Sequence, residues 1–188
     1  DLTPEIAEAL ARSHPRITAV TRAKKKGGMG WDLKTGLELV NGRCIAFIDG
    51  DGQMPAYDVV RVYKKIRENR FDLVKTYRKK RFDEAWRTFI SYSYNLLFKI
   101  LFPGLEATDI NSKPKIFTQA FLKEITLTSD DWFVDAEIMI QARRLGVRMA
   151  QIPTVFQKNE KRASFVKFAA IFEFIKNLTT YMLKEFRD

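Results

Sequence analysis

The 188-residue sequence predicts an α/β fold: a mixed, mostly parallel sheet with helices on both faces. Two observations carry that expectation. Short runs rich in β-branched and apolar residues, at 16–21, 44–48, 71–76 and 148–156, alternate with stretches of helical period at the cadence of βα units. The run at 44–48, C-I-A-F-I, has the length and character of a buried parallel strand, and it breaks directly into D-G-D-G-Q at 49–53. In an open α/β sheet ligands bind at the carboxyl ends of the strands, so acids and glycines at that point bear on function as well as on folding.

Taken in order, Thr3-Pro4-Glu5 reads as a helix start, with Thr3 as N-cap, Pro4 at the first helical position and an acid in the first turn. Ile6, Ala9 and Leu10 give that helix its buried side, and Pro15 ends it. A strand at 16–21 leads to a basic, glycine-rich loop, K-K-K-G-G-M-G at 24–30, which opens a helix from Trp31 to about Val40. Gly42 stops this helix and the strand at 44–48 follows. Pro55 and Ala56 open the next helix, with Val59, Val60, Val62, Tyr63 and Ile66 as its apolar positions, and the strand at 71–76 comes after it.

From Phe82 the pattern changes. A long helix at 83–102 carries Trp86, Phe89, Ile90, Leu96, Leu97, Ile100 and Leu101 and ends at Pro103-Gly104. An extended segment at 107–117, a short helix at 121–125, a longer one at 131–145 with Gly146 as C-cap, and a strand at 148–156 complete a domain over 1–163. The tail, 164–188, reads as an amphipathic helix. Phe165, Phe168, Phe172, Ile175, Met182 and Phe186 recur at helical spacing, with Lys167, Lys176, Lys184 and Arg187 between them. Because the chain opens on a helix where such a sheet has a strand, the expectation is of a domain lacking its first βα unit.

Composition bounds the partners. No apolar run approaches the length of a membrane span, and the start does not resemble a signal peptide. The single cysteine, Cys44, falls in the central strand, so no internal disulfide is expected and a reducing compartment is. The lone histidine, His14, sits at the end of a polar helix in a surface position. The net charge of +10 is localised: residues 61–90 hold eleven basic and four acidic side chains, residues 158–188 seven and four, and the remainder cancels. Two basic patches facing one anionic partner are implied, which can be nucleic acid, an anionic bilayer or a phosphorylated substrate.

In D-G-D-G-Q, two carboxylates one residue apart on a glycine-loosened backbone suit a hard divalent cation that also carries substrate phosphates. The same residues also suit a tight turn. The neighbouring motifs decide between these. T-P-E-I at 3–6, the glycines at 27–30, F-I-D-G-D-G-Q-M-P at 47–55, Arg87 with Ser91, T-D-I-N-S-K-P-K at 108–115 and V-D-A-E at 134–137 occur in one order. In that order they resemble a family 2 glycosyltransferase of the GT-A (Rossmann-like) fold, in the branch of dolichyl-phosphate mannose synthase and bacterial polyprenyl-phosphate glycosyltransferases. The resemblance runs from Asp1 to about Lys167.

It implies a metal-dependent, inverting transfer of a sugar from a GDP- or UDP-linked donor to a polyprenyl or dolichyl phosphate at the cytoplasmic face of a membrane. Asp49, Asp51 and Gln53 would hold Mg²⁺ or Mn²⁺ and, with Gly28, the donor. Asp51, Asp109, Asp135 and Glu137 would be the catalytic acids. Arg78, Arg81, Arg87, Ser91, Lys115, Arg162 and Lys167 would bind the acceptor phosphate; Ser91 stands one helical turn beyond Arg87, on the same face. N-S-K-P-K at 111–115 departs from the commoner S-G-F-R wording, with Lys115 supplying a similar charge. The tail helix would lie on the anionic membrane surface with some of its rings packed inward; a core-packing helix shows much the same stripe. Two alternatives stand beside this one: the same fold and donor with a soluble glycan or protein acceptor, and a non-catalytic basic domain that binds nucleic acid or membrane. No nucleic-acid motif is present, and the acidic pairs have no place in such a domain.

Overall fold

The computed structural model describes residues 2–17, 27–68, 70–81, 85–157 and 168–185. In chain order the elements are α1 (Thr3–Ser13), α2 (Met29–Leu37), β1 (Cys44–Phe47), α3 (Tyr57–Glu68), β2 (Leu73–Arg81), α4 (Ala85–Leu101), β3 (Lys115–Thr118), α5 (Gln119–Glu124), α6 (Val134–Arg144), β4 (Met149–Phe156) and α7 (Phe168–Glu185). The strands form one mixed sheet in the order β1-β3-β2-β4. β3 runs antiparallel to both its neighbours, while β2 and β4 are parallel. Of the pairings among described residues, then, one is parallel. Hydrophobic period identifies a strand but not its direction, and the segment before Lys115 turns back so that β3 enters between β1 and β2 from the opposite side.

Helices cover both faces, as the apolar pattern requires. Leu73 lies opposite Phe117 and Val74 opposite Ile116, so successive residues point to opposite sides. Val74 and Ile116 meet Val62 and Ile66 of α3. Leu73 and Phe117 join Phe98, Phe102, Phe121, Phe133, Met139 and Leu178, contributed from α4 through α7. Asp58 is 3% exposed and accepts hydrogen bonds from Thr154 and from Arg61 Nη1 (2.6 Å). Arg61 also donates to the Pro153 carbonyl at 3.0 Å, which fastens α3 to β4. Gly146, with φ 58°, follows α6 in the left-handed region where a helix C-terminus favours glycine.

Three further expectations change. Helix α1 begins at Thr3 itself; its N-cap is Leu2, with no side-chain cap. None of its residues is buried, and Ile6 and Leu10 are exposed, because a helical period records an apolar face but not what covers it. Strand β1 is not buried throughout: Ile45 is buried, Cys44 is half-buried and Ala46 is exposed. Helix α7 has an inward side, with Leu178 buried and Tyr181 and Met182 on the core, as well as exposed Ile175 and Leu183. Residues 18–26, 158–167 and 186–188, which include most of the 16–21 strand and the basic loop's lysines, lie outside the described residues. Among the described residues no helix is long and apolar enough to cross a membrane.

Phe117 packs between Phe47 and Phe121, with ring centroids 6.2 and 5.9 Å away, and has no exposed surface. Phe117→Ala is expected to lower unfolding stability by about 3–5 kcal/mol, measured by urea titration.

Candidate active site

The site is built where the D-G-D-G-Q segment leaves β1. Asp49 is half-buried and Asp51 is exposed. Asp51 Oδ1 accepts the Gln53 amide at 3.0 Å, so the segment is a turn as well as a display of carboxylates. Its far end is fastened reciprocally: the Gln157 amide donates to the Gln53 carbonyl at 2.9 Å, and Gln53 Nε2 donates to the Gln157 carbonyl at 3.0 Å. The acidic turn is thereby tied to the end of β4.

The sheet register sets the electrostatics beside it. Lys75 on β2 lies opposite Lys115 on β3, and Lys115 lies opposite Phe47 on β1, all on the face that carries Leu73 and Phe117. Both lysines are fully buried, and like charges placed directly opposite repel. Asp135, in the first turn of α6, answers them. One oxygen accepts from Lys115 and the other from Lys113 at 2.8 Å. Lys113 also reaches Asp49 Oδ2 at 3.2 Å, and Lys115 Nζ stands 5.6 Å from the Phe47 ring centroid. Lys75 is left with backbone carbonyls, those of Thr76 (2.7 Å) and Asp109.

Proton affinities follow. Burial, and then the Lys115 charge, lowers Lys75 to about 7. Burial also lowers Lys115, against the pull of Asp135. Burial acts the same way on Lys113, but Asp135 and Asp49 overcome it and raise that lysine. Burial pushes Asp135 up, and Lys113 and Lys115 outweigh it and hold the carboxyl low. Asp109 is likewise pushed up by burial, yet Arg78 holds it at about 2 through two guanidinium contacts of 2.6 Å and a backbone N–H at 3.1 Å.

Among the residues expected from sequence, Asp49, Asp135 and Lys115 are brought into one network, with Lys113 as the unforeseen link. Arg78 and Lys115 do not present open cations to an acceptor: Asp109 and Asp135 engage them inside the fold. Glu137 does not join Asp135. Residues i and i+2 of a helix point to opposite sides, and Glu137 accepts from Thr128 N and Oγ1 (2.9 and 2.7 Å), Ser129 N (3.0 Å) and the Tyr181 hydroxyl. That position anchors α6 to the 128–129 turn and to α7. The amide of Gly28 donates to the Asp130 carbonyl at 2.7 Å, and a Cβ on neighbouring Gly30 would fall 2.4 Å from the Ser129 carbonyl oxygen, so the glycine loop is set by backbone close approach. Ser91 is half-buried on α4 with its carbonyl accepting from Asn95 Nδ2 (2.7 Å). For Arg81 and Arg87 the description ends at their places on β2 and α4; Arg162 and Lys167 lie outside the described residues.

Among the described residues no three acids, histidines or cysteines gather as a complete metal cage. Asp49 and Asp51 offer two accessible carboxylates, a donor set that fits Mg²⁺ or Mn²⁺ when the remaining oxygens come from a diphosphate and water.

Comparison with known proteins bears on the family and the fold. Residues 1–133 match the family model described as Glycosyl transferase family 2. The uncharacterized glycosyltransferase EpsJ of Bacillus subtilis (strain 168) is 28% identical over 134 residues, which is 71% of this chain and 34% of that protein. The chain thus spans about a third of its curated relative. Among solved structures, glucosyl-3-phosphoglycerate synthase of Mycobacterium tuberculosis superposes at TM-score 0.67, with 18% identity, over 98% of this chain and 65% of the other. Its complex with uridine diphosphate superposes at 0.70, with 19% identity, over 97% and 65%. A further complex of that enzyme, with Mn²⁺, uridine diphosphate and glucosyl-3-phosphoglycerate, superposes at 0.67, with 17% identity, over 98% and 64%.

Two outcomes follow from the network. Glu137→Ala leaves the Tyr181 hydroxyl and the turn amides without their acceptor, and is expected to cost about 2–5 kcal/mol of stability in a thermal or urea titration. Lys75 has a folded pKa below its unfolded one, so between about 7 and 10.4 the unfolded chain binds more protons and stability rises with pH. Stability measured across that window is expected to climb, and Lys75→Met should flatten the climb.

Proposed function

Because the chain belongs to glycosyl transferase family 2, we propose that it transfers a sugar, with inversion, from a GDP- or UDP-linked donor to a polyprenyl or dolichyl phosphate at the cytoplasmic face of a membrane, using Mg²⁺ or Mn²⁺. The observation that carries the reading is the pair Asp49 and Asp51 at the carboxyl end of β1, with Asp49 linked through Lys113 to buried Asp135.

The chemistry requires little more. A nucleoside diphosphate leaves poorly unless its developing charge is neutralised, and a bound divalent cation supplies that Lewis acidity. Asp49 and Asp51 would hold the cation, and the Gln53–Gln157 clasp would keep their turn in place. A phosphate monoester has a second pKa of about 6, so the acceptor is already anionic at neutral pH and attacks without a strong general base. Its oxygen forms the new bond to the anomeric carbon in line with the bond to diphosphate that breaks. Arg81, Arg87, Ser91, Arg162 and Lys167 remain the acceptor-side groups. Arg78 and Lys115 act instead as scaffold, held by Asp109 and Asp135.

Surface chemistry supports a lipid acceptor. Helix α4 exposes Phe89, Tyr92, Leu96 and Ile100, which share one face at three- and four-residue spacing, and it contains no acidic residue. Exposed Ile175 and Leu183 on α7 and the localised positive charge add to that. A second reading keeps the donor and replaces the lipid with a soluble acceptor. It is favoured by solved neighbours bound to phosphoglyceric acid.

Asp51→Ala is expected to slow transfer about 100-fold or more, assayed with labelled nucleotide sugars against polyprenyl phosphate and water-soluble phosphate acceptors in parallel. Full turnover by that variant sinks the cation role. Transfer to soluble acceptors alone selects the second reading.

A further inference from the structure

We propose that Lys113 is a positioning residue that holds Asp49 while the divalent cation is absent and makes cation binding depend on the donor's diphosphate. The inference rests on the reading of Asp49 and Asp51 as cation ligands.

Lys113 is 3% exposed. Its ammonium is shared between Asp135 Oδ2 at 2.8 Å and Asp49 Oδ2 at 3.2 Å, with Met29 Sδ at 3.6 Å. Lys115 occupies the other oxygen of Asp135, so that carboxylate cannot take the Lys113 ammonium on both oxygens and draw it off Asp49. The backbone at Lys113 is held from the other side, where its carbonyl accepts the Thr76 hydroxyl at 2.5 Å. Swinging the ammonium away from Asp49 into water would break a buried pair, and such a break is strongly unfavourable.

A fixed positive charge therefore stands beside a carboxylate that would also hold the cation. A divalent cation arriving alone must displace Lys113 from Asp49 or crowd against it, and either disfavours binding. The diphosphate of the donor brings compensating negative charge to the same place, and the crowding is relieved. Cation and nucleotide then bind in concert, and a loaded metal site without donor is suppressed. Asp135, at the start of α6, takes part by keeping the ammonium charged and in position.

The experiment is calorimetric titration of Mn²⁺ into the full chain, alone and with saturating uridine diphosphate, then repeated with guanosine diphosphate. In the wild-type chain Mn²⁺ should bind far more tightly with the preferred nucleotide than without it. In Lys113→Met, Mn²⁺ alone should bind about two- to fivefold more tightly, the range of a partly exposed ion pair. Affinity in the presence of nucleotide should change less, so the ratio of the two affinities shrinks. Lys113→Arg should restore the wild-type ratio, which a general loss of packing would not do. Should Lys113→Met lack a cooperative thermal transition, Lys113→Gln is read in the same way. An unchanged ratio, or weaker binding of Mn²⁺ alone, overturns the inference while leaving the cation reading intact. A wild-type chain that binds no Mn²⁺ under either condition overturns both.

Discussion

Charge balance around Asp135 is the constraint on which the rest of the structure depends. The register of β2 against β3 buries Lys75 and Lys115 face to face, and the polypeptide before β3 adds Lys113. Three buried lysines in one neighbourhood would be untenable without a counter-charge. Asp135 supplies it to two of them by giving each a separate oxygen, while the third, Lys75, is left with backbone carbonyls and a proton affinity lowered to about 7. Helix α6 thereby brings its first turn to Lys115 of β3, and its apolar residues are buried in the core.

That placement has a second consequence on the other side of α6. With Asp135 directed at the lysines, Glu137 faces away, where the 128–129 turn and Tyr181 provide four donors to its carboxylate. Asn177 adds a bond to Asp131 at 3.0 Å. The terminal helix is thus joined to the body of the fold by polar bonds as well as by Leu178 in the core. One helix start organises both the site and the docking of α7.

The acidic turn and the ion pairs near it are built differently. Asp49 and Asp51 sit on a turn clasped to β4 and stay accessible, which suits ligands that come and go. Asp109 with Arg78, and Asp135 with Lys113 and Lys115, are closed ion pairs with little exposed surface. Through Lys113 the second of these groups is joined to Asp49 of the acidic turn. Arginine and lysine side chains that look available in the sequence are in this way withdrawn from the surface.

Much was legible from the amino acids alone. The periods of α3, α4 and α6, the apolar runs of β2 and β4, the break from strand to D-G-D-G-Q and the ordered motifs of the family are local patterns, and local physics fixes them. Strand direction, the opposition of Lys75 and Lys115, the linking role of Lys113, the burial of Arg78's charge against Asp109 and the parting of Asp135 from Glu137 depend on which segments meet. These are products of register and packing between residues far apart in the chain. A sequence states which charges and apolar faces exist; only the assembled fold decides which of them meet, because electrostatics and burial act through distance in space.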